Sequence, residues 1–227
     1  DFGRFGELNL NLDVSPNGEM IIYPKYGYGK NQSLGFDIWR VNTKTKKKVK
    51  LTHSKRANYP KFSPDGKSIL FIAHENSTTQ LYTMDIDGRD IKQITSNEGD
   101  VQIVTPAWSP DGGSVAFAMS ESDGNMDIHI LELSTGKTQQ ITNSPEIDAS
   151  PIWHPNGDMI SYTGYYDITP NLYTYDFSNG KTVQNTDLWD LQKGVDWNAQ
   201  YSTITVTTFN EVDSARVLEI DPKRSVT

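Results

Sequence analysis

A four-residue turn returns about every 45 residues, β-branched and aromatic runs lie between the turns, and no helical period appears anywhere. Together these predict an all-β chain, and a period of this length with four strands per unit specifies a β-propeller of four-stranded antiparallel blades, about five of them here. The turns are Ser15-Pro16-Asn17-Gly18, Ser63-Pro64-Asp65-Gly66, Ser109-Pro110-Asp111-Gly112 and His154-Pro155-Asn156-Gly157, with a worn fifth copy at Trp197-Asn198-Ala199-Gln200. The four clear turns follow one another at steps of 48, 46 and 45 residues, and Trp197 lies 44 residues beyond Trp153, which precedes the fourth.

The second copy, Ala57 to Thr95, shows the unit most plainly. Tyr59-Pro60-Lys61-Phe62 is a first strand entering a turn in which proline presets φ and glycine tolerates φ > 0. Ser68 to Ala73 is a buried second strand, Gln80 to Ile86 a third, and Asp85-Ile86-Asp87-Gly88 turns the chain into a fourth, Ile91 to Thr95. Third-strand copies recur in phase as Asp37-Ile38-Trp39, Gln80-Leu81-Tyr82, Asp127-Ile128-His129, Asn171-Leu172-Tyr173 and Ala215-Arg216-Val217. Fourth strands end in Leu51-Thr52, Ile94-Thr95, Ile141-Thr142 and Asn185-Thr186.

In the first copy, Asn9 to Val14, Ile21 to Pro24, Ile38 to Asn42 and Val49 to Thr52 are the strands, with a loop excursion from Lys25 to Phe36. The fifth gives Val195 to Trp197, Thr203 to Phe209, Arg216 to Ile220 and a fourth-strand stub at Ser225-Val226-Thr227. One domain, 1–227, is expected, with blades at about 8–52, 57–95, 103–142, 149–186 and 194–227. The aromatics repeated in phase, Phe62, Trp108, Trp153 and Trp197 at one position and Trp39, Tyr82 and Tyr173 at another, are expected to fill the space between blades.

Pro60-Lys61-Phe62-Ser63-Pro64-Asp65-Gly66-Lys67, Leu81-Tyr82-Thr83-Met84-Asp85-Ile86-Asp87-Gly88 and Gln93-Ile94-Thr95 resemble the TolB-like β-propeller repeat. Pro106-Ala107-Trp108-Ser109-Pro110-Asp111-Gly112 matches equally well, and Pro151-Ile152-Trp153-His154-Pro155-Asn156-Gly157 keeps the pattern with His for Ser. The resemblance covers nearly the whole chain. It implies a protein- or peptide-binding scaffold of the bacterial periplasm or outer membrane, and rings usually of more than five blades, so that these five are read either as part of a six- to eight-bladed ring, the favoured reading, or as a closed ring of five. The same repeat also builds accessory domains of prolyl-oligopeptidase-like peptidases, so that reading stays open beside it.

A net charge of −8 argues against duplex nucleic acid as a partner. The basic cluster Lys44, Lys46, Lys47, Lys48 and Lys50 falls on the third-to-fourth-strand hairpin of the first blade, where lysine protects an outer edge. No apolar run reaches the length of a membrane-spanning helix, and no secretory leader opens the chain, as expected of a mature or excised form. With no cysteine, disulfides and thiolate metal sites are unavailable.

No catalytic constellation emerges, and neither a metal site nor a cofactor is expected. His74-Glu75 lacks the second histidine of the helical zinc motif. Gly112-Gly113-Ser114 only superficially matches a nucleophile elbow, because Ser114 opens a strand after a repeated turn. His129 and His154 occupy a packing and a turn position, and His53 alone is kept as a binding contact. The carboxylates Asp85, Asp87 and Asp90, and Glu121, Asp123 and Asp127, are spaced as in calcium loops but lie in hairpins where Asp serves the turn.

What does not repeat is the candidate site. Loops joining second to third strands, and those entering first strands, share one face of a propeller. They would gather the aromatics Tyr26, Tyr28, Tyr165, Tyr166 and Trp189 with His53, among acids such as Glu98, Asp100, Glu146, Asp148, Asp167 and Asp187. Tyrosine and tryptophan in variable loops suit recognition of a protein or peptide, or stacking on a glycan.

Overall fold

The computed structural model describes residues 11–28, 34–75, 77–120, 124–166, 169–187, 191–198, 203–209 and 216–226. The chain divides into two compact units, Asp1–Ile103 and Val104–Thr227. Among the described residues every regular element is a strand. The first unit carries the sheet β1 (Asp13–Val14), β2 (Met20–Tyr28), β3 (Leu34–Asn42), β4 (Lys48–Lys50), and the sheet β5 (Ala57–Phe62), β6 (Ser68–Glu75), β7 (Thr78–Asp85), β8 (Lys92–Gln93). The third sheet is β9 (Gln102–Trp108), β10 (Ser114–Ser120), β11 (Met126–Glu132) and β12 (Lys137–Gln140). The second unit continues with β13 (Asp148–Trp153), β14 (Met159–Gly164), β15 (Asn171–Asp176) and β16 (Lys181–Gln184), then β17 (Leu191–Asn198), β18 (Thr203–Phe209) and β19 (Arg216–Ile220). Every sheet is an antiparallel meander in chain order, the expected blade.

The repeated turn works as its residues dictate. Ser63 donates its hydroxyl to Asp65 (2.6 Å) and accepts the Ser68 amide (2.9 Å), while the Gly66 amide bonds the Ser63 carbonyl with glycine at φ 70°. Ser15 and Ser109 repeat this with Asn17 and Asp111. In the fourth copy His154 takes the serine's place and its Nδ1 meets the Asp158 carboxylate instead.

A second motif recurs at the junction of third and fourth strands. The Thr52 hydroxyl accepts the Ile38 amide (2.9 Å) and donates to Asp37 (2.9 Å). Thr95 does the same with Leu81 and Gln80, Thr142 with Ile128 and Asp127, and Thr186 with Leu172 and Asn171, at 2.8–3.1 Å. All four acceptors, Asp37, Gln80, Asp127 and Asn171, are buried.

Blades bury their faces against neighbouring blades within each unit. In the first, Ile22, Ile38 and Leu51 form one cluster with Phe62, Ile69, Phe71, Tyr82 and Met84. In the second, Ala116, Ala118 and Ile128 pack with Ile160, Tyr162 and Tyr173, and Leu172 packs with Ile204 and Val206. Trp153 and Trp197 lie against these clusters, and Trp153 donates its indole N–H to the Ala107 carbonyl (3.3 Å). Aromatic pairs cross from second to third strands: Phe71 stacks on Tyr82, Phe117 on His129 and Tyr162 on Tyr173, with centroids 5.4–6.0 Å apart. The approach of the two sheets in the first unit is close at Gly88 (φ 81°), where a Cβ would come within 2.8 Å of the Leu51 carbonyl oxygen.

First strands carry a bulge. Register shifts fall between Asn58 and Lys61, Ala149 and Ile152, and Lys193 and Val195. Tyr59, Thr105 and Ser150 take left-handed φ of 50–55°, each immediately before a proline.

Two details differ from the sequence reading. The stretch from Lys25 to Phe36 is not all loop: β2 and β3 continue as a paired hairpin, with Tyr26 opposite Phe36 and Tyr28 opposite Leu34. Alternating Tyr26 and Tyr28 find apolar cross-strand partners, which outweighs the three glycines that suggested a loop. The stub after β19 does not complete the fifth sheet. Instead the Val226 amide bonds the Gln184 carbonyl (3.1 Å), and Asn185 donates to the Pro222 and Arg224 carbonyls.

The shared hydroxyl is testable. Thr186→Val keeps the shape but removes the hydroxyl that accepts the buried Leu172 amide and donates to Asn171, so thermal or urea unfolding should show a loss of about 1–3 kcal/mol.

Candidate functional site

The expected site residues are reported in the unit that holds each. In the first unit, Tyr26 is 46% and Tyr28 74% exposed, on one side of β2, with Leu34 (47% exposed) across from Tyr28 on β3. The Tyr26 ring tilts against Phe36, centroids 5.1 Å apart. The result is a paired hairpin end with an aromatic, largely solvated side. Lys25 places its ammonium over the Trp39 ring at 5.0 Å, on the next cross-strand position.

His53 is exposed in the loop leading from β4 to β5. That loop wraps a carboxylate: Asp37 accepts the amides of Ser54 (3.1 Å) and Lys55 (3.3 Å), the Thr52 hydroxyl and the Lys50 ammonium (2.8 Å). Burial alone would raise the Asp37 carboxyl, and these four donors outweigh it and hold the group below the usual aspartate range.

Tyr165 and Tyr166 follow β14 in the second unit and do different things. Tyr165 is 43% exposed, its amide bonded to the Ile147 carbonyl (3.0 Å). Tyr166 folds inward, edge-on to Tyr173 at 4.7 Å, and donates its hydroxyl to Asp148 (3.1 Å). Gly164 makes room for it, since a Cβ there would come within 2.5 Å of the Tyr166 ring. Trp189 lies outside the described residues, as do Glu121, Asp123 and Asp167. Of the remaining carboxylates considered for a cation, Asp127 is engaged by Gln140, Thr142 and Ser144, Asp85 by the Asp87 and Arg89 amides, and Asp87 by Arg40. Ser114 opens β10 and its amide bonds the Ser109 hydroxyl, the scaffold role its repeat implies.

Two features escaped the sequence reading. Asp148 is wholly buried (0% exposed) where the second blade has Ala57, each residue opening its strand and facing the end of the partner strand. Its Oδ2 accepts Tyr166 and Ser144, and its Oδ1 has no partner. Burial pushes this carboxyl up, and the Asp127 charge adds to the effect against the hydroxyl donors. The second feature is a cavity of about 410 Å³ in the second blade, lined by Glu75, Thr78, Gln80, Gln93, Asn97, Glu98 and Gly99. The signal for it was the pair of glutamates in the loops at one end of that blade; the uncharged lining residues gave none.

The raised Asp148 carboxyl has a definite sign. A neutral acid is favoured in the folded chain, so stability falls as pH rises from the ordinary aspartate value of about 3.9 through the raised one. Asp148→Asn should remove that slope: the melting temperature of the variant minus that of the parent should grow as pH rises from about 4 through the raised value and then level off. A pH-independent difference would contradict the buried-acid assignment.

Comparison with known proteins agrees with this architecture. The model of the TolB beta propeller domain matches residues 101–225, more than half of the chain. The Tol-Pal system protein TolB of Francisella tularensis subsp. mediasiatica (strain FSC147) is 37% identical over 102 residues, 44% of this chain and 23% of that protein. The uncharacterized peptidase YuxL of Bacillus subtilis (strain 168) is 34% identical over 113 residues, 48% of this chain and 17% of that protein. These matches therefore span less than a quarter of either relative. Among solved structures, TolB from Acinetobacter baumannii superimposes with a TM-score of 0.74 at 23% identity, over 92% of this chain and 52% of that one, a likeness of fold. The chain is an all-β propeller and belongs to the TolB beta propeller domain family.

Proposed function

We propose that this protein is a non-catalytic interaction module that binds a protein or peptide partner through the loop end of its blades, in the periplasm or at the outer membrane of a bacterium. The observation that carries this reading is the solvated aromatic side of the β2–β3 hairpin, where Tyr26, Tyr28 and Leu34 are exposed together on regular, paired backbone. A scaffold of this kind offers contact area at small entropic cost, because the strands are already fixed and each tyrosine has few rotamers to lose. The matched segment of the Tol-Pal system protein TolB supports the compartment and the partner class. Nothing in the proposed role needs nucleic acid, a cofactor or membrane insertion.

A second reading has one specific observation in its favour, the identity shared with the peptidase YuxL. In that reading the blades are an accessory propeller that controls access to a peptidase domain.

Tyr26→Ala/Tyr28→Ala decides between them. Both side chains are largely solvated and their cross-strand contacts are confined to one hairpin end, so the melting temperature should fall only slightly. Capture of the partner from a cell-envelope extract, identified and then titrated with purified components, should weaken by about 2 kcal/mol or more per anchor. Unaltered affinity would remove the hairpin from the interface. Peptide hydrolysis by the full-length gene product, abolished by deleting these blades, would establish the accessory role, and glycan-array hits lost in the double variant would make the ligand a carbohydrate.

A further inference from the structure

The cavity in the second blade lies where the β6–β7 turn meets the loop from β8 to β9. Its lining is polar throughout: two carboxylates (Glu75, Glu98), three carboxamides (Gln80, Gln93, Asn97) and one hydroxyl (Thr78). Most of that lining is held in place. Gln80 Nε2 donates to the Asn97 carbonyl (2.7 Å) and to Thr78 (3.2 Å), while its Oε1 accepts Thr95 (2.8 Å) and the Asn97 amide (3.0 Å). Glu75 is fixed by the Tyr82 hydroxyl, which also reaches Gln93 Oε1 (3.1 Å). Burial, then the hydrogen bond to Glu75 and its charge, push that phenol up to about 12, so it stays a donor. Glu98 makes no hydrogen bond or ion pair among the described residues. Lys55 stands over the Tyr82 ring at 5.7 Å and forms no ion pair with either glutamate.

The first blade shows what such a place accepts. Gln80 occupies the position of Asp37, and Gln93, opposite Tyr82, occupies that of Lys50, opposite Trp39. There the Lys50 ammonium closes on Asp37 at 2.8 Å. The second blade has lost that internal cation, kept an ordered polar frame, and gained two carboxylates around an open volume large enough for a side-chain head group.

We propose that this cavity is a binding site for an organic cation, the guanidinium or ammonium of an arginine or lysine side chain, held between Glu75 and Glu98 with the carboxamide oxygens completing its hydrogen bonds. The protein source of that cation rests on the partner reading above; the chemistry of the cavity does not. An anchored carboxylate at Glu75 and an uncommitted one at Glu98 suit a planar guanidinium, which forms parallel bonds to such oxygens.

The test titrates ¹⁵N-labelled protein with N-acetyl-arginine amide, its uncharged citrulline counterpart, and putrescine. The arginine derivative should shift the amide signals of Thr78, Gln80, Asn97 and Gly99 saturably, with Kd on the order of millimolar and weaker at high salt. The citrulline derivative should not. Glu98→Gln, at a site bearing no structural hydrogen bond, should weaken the arginine probe about five-fold. Gln93→Lys, which copies the first blade, should fill the cavity with an internal ammonium and abolish binding without lowering the melting temperature. Equal binding of both derivatives, unaltered affinity in Glu98→Gln, or no saturable shift up to about 50 mM would overturn the cation site. Putrescine binding tighter than the arginine derivative would keep the cation chemistry and overturn the side-chain source. Probe binding that survives Tyr26→Ala/Tyr28→Ala while partner capture fails, or the reverse, separates this site from the hairpin reading.

Discussion

One hydroxyl per blade carries much of the architecture. Because a threonine oxygen accepts and donates at once, a single group can satisfy one amide of the third strand and bind the polar side chain just before it. The same buried acceptor then orients the chain as it leaves the blade. Asp37 takes the Ser54 amide, Gln80 the Asn97 amide and Asp127 the Ser144 amide, in each case two residues beyond the threonine. Strand pairing and the exit toward the next sheet are thus set together. The arrangement tolerates Asp, Gln or Asn as acceptor, since the hydroxyl proton is indifferent to whether the oxygen it meets is charged. Burying these polar groups would be costly unpaired, and their pairing is what fixes the register of the fourth strand.

Against this repeated frame, departures stand out. The first blade makes its acceptor an ion pair, with Lys50 and the loop amides keeping Asp37 ionised in a buried place. The fourth blade buries Asp148 where the second has alanine, and uses a tyrosine hydroxyl and a serine to hold one of its two oxygens. The two carboxyls respond oppositely to acid. Asp37 contributes stability that is fully present above the ordinary aspartate value and is lost as pH falls from there through the depressed one, whereas Asp148 is most comfortable protonated. Blades of one design therefore carry different titration behaviour.

The architecture was legible because period, turn and strand pattern each point to the same unit; Ser63-Pro64-Asp65-Gly66 and its copies fold as their residue types dictate. Both halves of the threonine motif were visible too, Thr52 ending a fourth strand and Asp37 opening a third. Their partnership was not, since it joins residues 15 apart across a hairpin whose register only the folded sheet defines. The β2–β3 hairpin ran longer than expected because glycine and polar residues between Tyr26 and Phe36 weigh toward a loop, while cross-strand pairing of the rings is a tertiary effect. Tyr166 looked as free as Tyr165 in the sequence. Its burial follows from Gly164, which leaves room for the ring, and from an acceptor on another strand. The cavity gave little signal because glutamine, asparagine and threonine are ordinary loop residues until their hydrogen bonds are known.

The left-handed residues before Pro60, Pro106 and Pro151, at a register shift in the first and last of these, have a consequence for how anything can attach. Each lies on the edge strand of its sheet, so the backbone there breaks its hydrogen-bonding rhythm and lacks a donor at the next residue. An extended guest cannot zip onto such a border as one more strand. Whatever this molecule grips at those borders must be read by side chains rather than by main chain, a grammar of individual pockets instead of a template. The same irregularity keeps like molecules from splicing sheet to sheet.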